Sequence, residues 1–192
     1  MAHIDISTAR RLAIDRVITV LRGQYATELS AIKDAGLLLP APTDTDYYTT
    51  SPDDPETDNL LHNADVAVIV WQAGARQLGD IFTGGATTRA QTGLIELDIL
   101  VLFRSGFHEP LTTNGHALSE YEYMQLRAER YAGALITTLY KYAVEADSVH
   151  DIELVSDEAQ PIHLQDRPVI GVATTRWRVT QKLAVPQKRP LP

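Results

Sequence analysis

One feature limits the fold of this chain more than any other: the order in which its hydrophobic periodicities follow one another. A long stripe with steps of three and four comes first, then two strongly apolar strand-like runs, a second stripe of helical period, and a closing stretch that alternates residue by residue. Helical and strand periods mixed in this way predict an α/β chain of the α+β type. Two long amphipathic helices pack a mainly antiparallel sheet, with extended loops and a C-terminal arm.

The first stripe consists of Ile14, Val17, Ile18, Leu21, Tyr25, Leu29 and Ile32, on a helix expected from Ala9 to Lys33. Ser7 stands where an N-cap is needed and Gly36 where a C-terminal stop is needed, while Gly23 weakens the middle. The second stripe, Met124, Ala128, Tyr131, Leu135, Leu139 and Tyr142, begins after Ser119 and Glu122, which have the spacing of a capping box.

Between these helices lie strands. Asp65 to Trp71 is rich in β-branched residues and apolar on both faces, as a central strand would be, and Ala73 with Gly74 is expected to end it. The turn-rich stretch Gly79 to Gly93 and the strand Leu94 to Phe103 complete a hairpin with an extended tip. His150 to Val155 reads as a short strand. From Val169 to Leu183, Gly171, Ala173, Trp177 and Val179 fall on one face and Thr174, Arg176, Arg178 and Lys182 on the other.

Two segments fit neither period. Residues 39–63 interleave Pro40, Pro42, Pro52 and Pro55 with six carboxylates, among them Asp53 and Asp54, and read as a long exposed loop. Tyr47 and Tyr48 in its middle either pack the loop back onto its own domain or meet a partner. Residues 186–192, including Lys188 and Arg189, read as a flexible tail, which leaves 1–185 as a single domain of ordinary size.

Composition excludes several classes of function. The longest apolar run, Val66 to Trp71, is far short of the roughly 20 residues that cross a bilayer, so no membrane partner is expected. With no cysteine, disulfides and thiolate chemistry are absent. A net charge of −8 opposes general nucleic-acid binding, which draws its affinity from many cationic contacts.

Motifs for chemistry are missing as well. Gly79 to Gly84 has the glycine spacing of a phosphate loop, but Gly85 and Ala86 replace the required lysine and hydroxyl residue. The histidines, His3, His62, His108, His116, His150 and His163, are scattered, and neither a nucleophile elbow nor a zinc helix occurs. Glu96 and Asp98, two apart on one strand face, are the sole candidate for a magnesium-dependent nuclease pair. Arg176, Arg178 and Lys182 on a neighbouring strand offer them cross-strand partners instead. The expectation is no catalytic residue, no cofactor and no metal.

The helix Ala9 to Lys33, the strands Val66 to Trp71 and Gly93 to Phe103 with their hairpin tip, the helix Glu120 to Tyr142 and the run Val172-Ala-Thr-Thr-Arg-Trp-Arg-Val179 together resemble the tail terminator, or tail completion, proteins of long-tailed bacteriophages. The resemblance is architectural and spans most of the chain. It implies a structural virion protein, assembled in the host cytoplasm, that forms a hexameric ring, terminates the tail tube and joins it to the neck. Its partners would be further copies of itself, tail-tube and neck proteins, and DNA only in passing. Interface residues are then expected at Tyr47, Tyr48, Asp53, Asp54, Arg89, Arg176, Arg178, Lys188 and Arg189, and lumen-facing carboxylates at Glu96 and Asp98. Another soluble assembly or head-tail adaptor protein, or a nuclease built on Glu96 and Asp98, is the alternative that the residues leave open.

Overall fold

Where the second stripe begins, Ser119 is extended at φ −66° and ψ 161°; its Oγ accepts from the Glu122 amide at 3.3 Å, and Glu122 Oε2 accepts from the Ser119 amide at 2.8 Å. This capping box satisfies two backbone donors and starts α2, Glu120–Tyr142. The computed structural model of the protein describes residues 6–32, 37–50, 60, 64–81, 88–105, 112–113, 116–144, 149–162 and 170–186.

The first helix, α1, spans Ile6–Ala31. Ser7 therefore lies inside its first turn and not ahead of it, where backbone donors lack intrahelical partners in any case. Gly23 is passed without a break, because Leu21 and Tyr25 on either side are wholly buried and their packing outweighs the roughly 1 kcal/mol propensity cost of a glycine. Gly36 lies outside the described residues. At the end of α2, Arg16 of α1 donates from Nε to the Ala143 carbonyl at 3.2 Å and from Nη2 to that of Tyr142 at 2.7 Å. A cation on the last carbonyls satisfies them and complements the helix dipole.

Among the described residues seven strands make two sheets. The larger holds β1 (Tyr47–Tyr48), β2 (Val66–Ile81), β3 (Thr88–Arg104), β6 (Asp151–Ile162) and β7 (Ile170–Pro186), in the order β1-β2-β3-β7-β6, and is not closed. The smaller pairs β4 (Thr112–Thr113) with β5 (His116–Ala117) just before α2. β2, β3, β7 and β6 pair antiparallel in turn, but β1 joins β2 in parallel, so the sheet is mixed and the fold is α+β.

The strands outrun their sequence signals. Ala73 and Gly74 do not end β2, because a bulge between Gln72 and Gly74 absorbs the irregularity and pairing resumes at Gly74 opposite Glu96. β3 begins at Thr88, well before Leu94, because cross-strand hydrogen bonds continue through a sequence of low strand propensity. β6 reaches Ile162, and β7 runs to Pro186, a residue expected to belong to the tail; a proline at a strand end forfeits only one donor. Residues 187–192 lie outside the described residues.

The core lies between the helices and one sheet face. Val17, Leu21, Tyr25 and Leu29 of α1 and Met124, Ala128, Tyr131, Leu135 and Leu139 of α2 cluster there with Val66, Val68, Val70, Ile95, Leu97, Ile99, Val101, Phe103, Ala173, Trp177 and Val179. Tyr142, the last residue of the second stripe, is partly exposed where the helix runs out. Three buried phenols lace the layers: Tyr25 donates to the Tyr131 carbonyl at 3.0 Å, Tyr131 to that of Pro40 at 2.8 Å, and Tyr47 to that of Leu21 at 3.2 Å. The proline-rich segment is thus tied at both Pro40 and Tyr47. It is not wholly an exposed loop.

Candidate assembly surface

Because side chains alternate along a strand, the positions between the core residues point to the opposite sheet face. Across it the register aligns Trp71 with Asp98, Asp98 with Arg176 and Arg176 with Ser156; beside that row stand Gly74, Glu96, Arg178 and Glu153. The chemistry of the face follows from these rows.

Arg176 binds Asp98 through two parallel hydrogen bonds, Nε to Oδ1 at 2.7 Å and Nη2 to Oδ2 at 2.8 Å, a fork geometry that fixes both planes. Those bonds, together with the charge of Asp98, raise the Arg176 pKa further, so the guanidinium stays charged. Arg178 reaches the edge strand and donates to Glu153 Oε2 at 2.9 Å. Glu96 is half-buried against Gly74, whose missing Cβ would lie 3.3 Å from Glu96 Oε2. Asp98 keeps only 15% of its side-chain surface against 50% for Arg176, so the guanidinium shields the carboxylate from water.

Below this ladder the same face turns apolar. Ala67 and Ile69 of β2 are fully buried and Val172 of β7 nearly so, with Leu100 and Leu102 half-buried between them. Trp71, 36% exposed, marks the border between the apolar and the charged rows.

The expected site residues fare differently. Arg176, Arg178, Glu96 and Asp98 are brought together on this one face. Tyr47 is corrected from an interface residue to a core residue: it is buried, its hydroxyl is bonded to α1, and Arg22 lies 5.7 Å from its ring centre. Burial and the Asp44 carboxylate push its phenol well above the ordinary tyrosine range. Tyr48 points the other way and is half-buried. Arg89 pairs through its backbone with Val185, its side chain lying outside the description, as do Asp53, Asp54, Lys188 and Arg189 entirely.

Sequence reasoning missed Glu153, which takes Arg178 from the edge strand; the signal was the alternation of β6, obscured by the bulge between Leu154 and Ser156. It also missed Arg127. This guanidinium is buried on α2, donates from Nη1 to the Arg104 and Ser105 carbonyls, and lies 4.9 Å from the ring centre of Phe103 and 5.6 Å from that of Tyr123. Backbone carbonyls and aromatic faces take the place of a carboxylate here, and the arrangement clamps the end of β3 to α2. An arginine inside an otherwise apolar helical stripe was the available signal.

Among the described residues no three His, Asp or Glu side chains gather in a group able to hold a metal ion, and no helix is long and apolar enough to cross a membrane. No protein-family model matches the chain, and no curated protein matches it.

Proposed function

We propose that the protein is a structural component of a long-tailed phage particle, a subunit that assembles with its own copies into a ring at the head-proximal end of the tail, ends the tube and joins it to the neck. The observation that supports this reading is the charge-paired sheet face. Asp98 is spent on Arg176 and Glu153 on Arg178, so the face offers DNA few free cations, and the whole chain at −8 repels phosphate. Such a face suits a conduit through which DNA slides without sticking. It suits a nuclease poorly, because both oxygens of Asp98 already accept from Arg176 and a magnesium ion would have to displace that fork.

The direct test is to add the purified protein to extending tail tubes and view them by negative stain. Tubes that stop growing and carry a ring at one end support the proposal; tubes that extend unaffected and uncapped contradict it. A parallel assay with magnesium and manganese, comparing wild type with Asp98→Asn, should show no cleavage of duplex DNA by either protein. Metal-dependent cleavage lost in the variant would establish the enzyme instead.

A further inference from the structure

We propose that neighbouring copies of this chain join through their sheets, the upper edge of β7 in one copy pairing in parallel with the upper outer edge of β2 in the next. The inference rests on the ring reading above and adds the surface that builds the ring.

The upper parts of β2, β3 and β7 form a three-stranded blade that continues past its covering elements. β6 stops pairing with β7 at Asp151 opposite Thr180, yet β7 continues for six more residues to Pro186, all in unbroken register with β3. On the other side β1 reaches only Val68 and Ile69 of β2, which runs on to Ile81. Among the described residues, both outer edges of the blade therefore lack a strand partner, and they lie at one height: Lys182 and Leu78 both pair with Thr92.

The backbone groups on these edges follow from the ladder. His150 N donates to the Thr180 carbonyl, so Thr180 faces β6, and by the two-residue repeat the N–H and C=O groups of Lys182 and Ala184 face the same way, where β6 no longer reaches. Val68 N donates to the Asp46 carbonyl, so Val68 faces outward from β2; the bulge between Gln72 and Gly74 shifts the phase, and Ala75 and Gln77 then face outward.

β2 and β7 are each antiparallel to β3, so they run in the same direction. A rotation about an axis along the blade brings β7 of one copy beside β2 of the next with the strands parallel and their heights matched. That is a heterologous contact able to repeat around a closed ring. The third long edge argues the same by contrast. β6 carries exposed Asp151, Glu153, Asp157 and Glu158, a bulge, and Pro161, the devices by which an edge strand is kept from pairing. The β7 edge from Gln181 to Ala184 has no carboxylate, no bulge and no proline.

The chain has no cysteine, so engineered pairs report cleanly. Ala75→Cys or Gln77→Cys in β2 would be combined with Lys182→Cys or Ala184→Cys in β7, four double variants of the full chain, each oxidised and run on denaturing gels beside its single variants. At least one double variant should give a ladder of covalent multimers that collapses to monomer on reduction, with single variants giving none beyond dimer. Ala184→Pro, which deletes one outward N–H, should shift the oligomer toward monomer in light scattering while the circular dichroism of the subunit is kept. If light scattering finds an oligomer but no pair cross-links and Ala184→Pro changes nothing, this edge pairing is overturned and the ring reading stands. A strict monomer at every concentration overturns both.

Discussion

Gly171 shows how one residue type can be dictated by its neighbour across a ladder. It pairs with Phe103, and a Cβ placed on it would fall 2.1 Å from the Phe103 ring, which is buried and packed 4.7 Å from the ring of Tyr131. Gly171→Ala should lower stability by about 1–3 kcal/mol through overpacking, read as a fall in thermal midpoint. Trp177 is fully buried, stacks edge-on with Tyr140 at 5.4 Å and donates from Nε1 to Thr175 Oγ1 at 2.8 Å. Trp177→Ala should cost about 3–5 kcal/mol in denaturant melts, and an unchanged midpoint would show that this strand face does not pack the helices. The inward face of β7 was legible because strict alternation left little choice. The burial of Tyr47 was not legible, because its partners, the Leu21 carbonyl and Arg22, lie some 25 residues away and no local pattern announces them.

At the scale of elements, α2 was legible to the residue because a capping box writes its start into the sequence, whereas the strand ends were not, since cross-strand pairing and not propensity extends β3 and β7. Ser119→Ala should remove the cap and cost about 1 kcal/mol. The hydrogen bonds from Ser119 hold the Glu122 carboxyl below its usual range, so the stability it supplies is present above the unfolded carboxylate pKa and lost as pH falls through the lower folded value. The phenols that lace the layers behave in the opposite sense. Burial raises Tyr131 from 10.0 to about 12 and holds Tyr25 and Tyr47 well above the ordinary tyrosine range. Above pH 10 the unfolded chain loses these protons while the folded chain keeps them, so stability is full below that pH and drains away as pH rises through about 12 and beyond. A spectroscopic tyrosine titration should show a late group that ionises together with unfolding; eight phenols ionising in one step near pH 10 on a folded chain would contradict the lacing.

At the scale of the molecule, one sheet separates a core side sealed by α1 and α2 from an opposite side where arginines and carboxylates pair across the strands beside a buried apolar patch of Ala67, Ile69 and Val172. The cross-strand pairing of Arg176 with Asp98 was readable from their spacing on adjacent alternating runs, but the parallel β1 and the height of the blade needed the assembled register. If that blade and that face build a ring, the mass of the particle in solution follows. Size-exclusion chromatography with light scattering on the full chain measures it directly: the account predicts a closed oligomer, a hexamer of the 21.2 kDa subunit, and a species of 21.2 kDa alone at every concentration would contradict it.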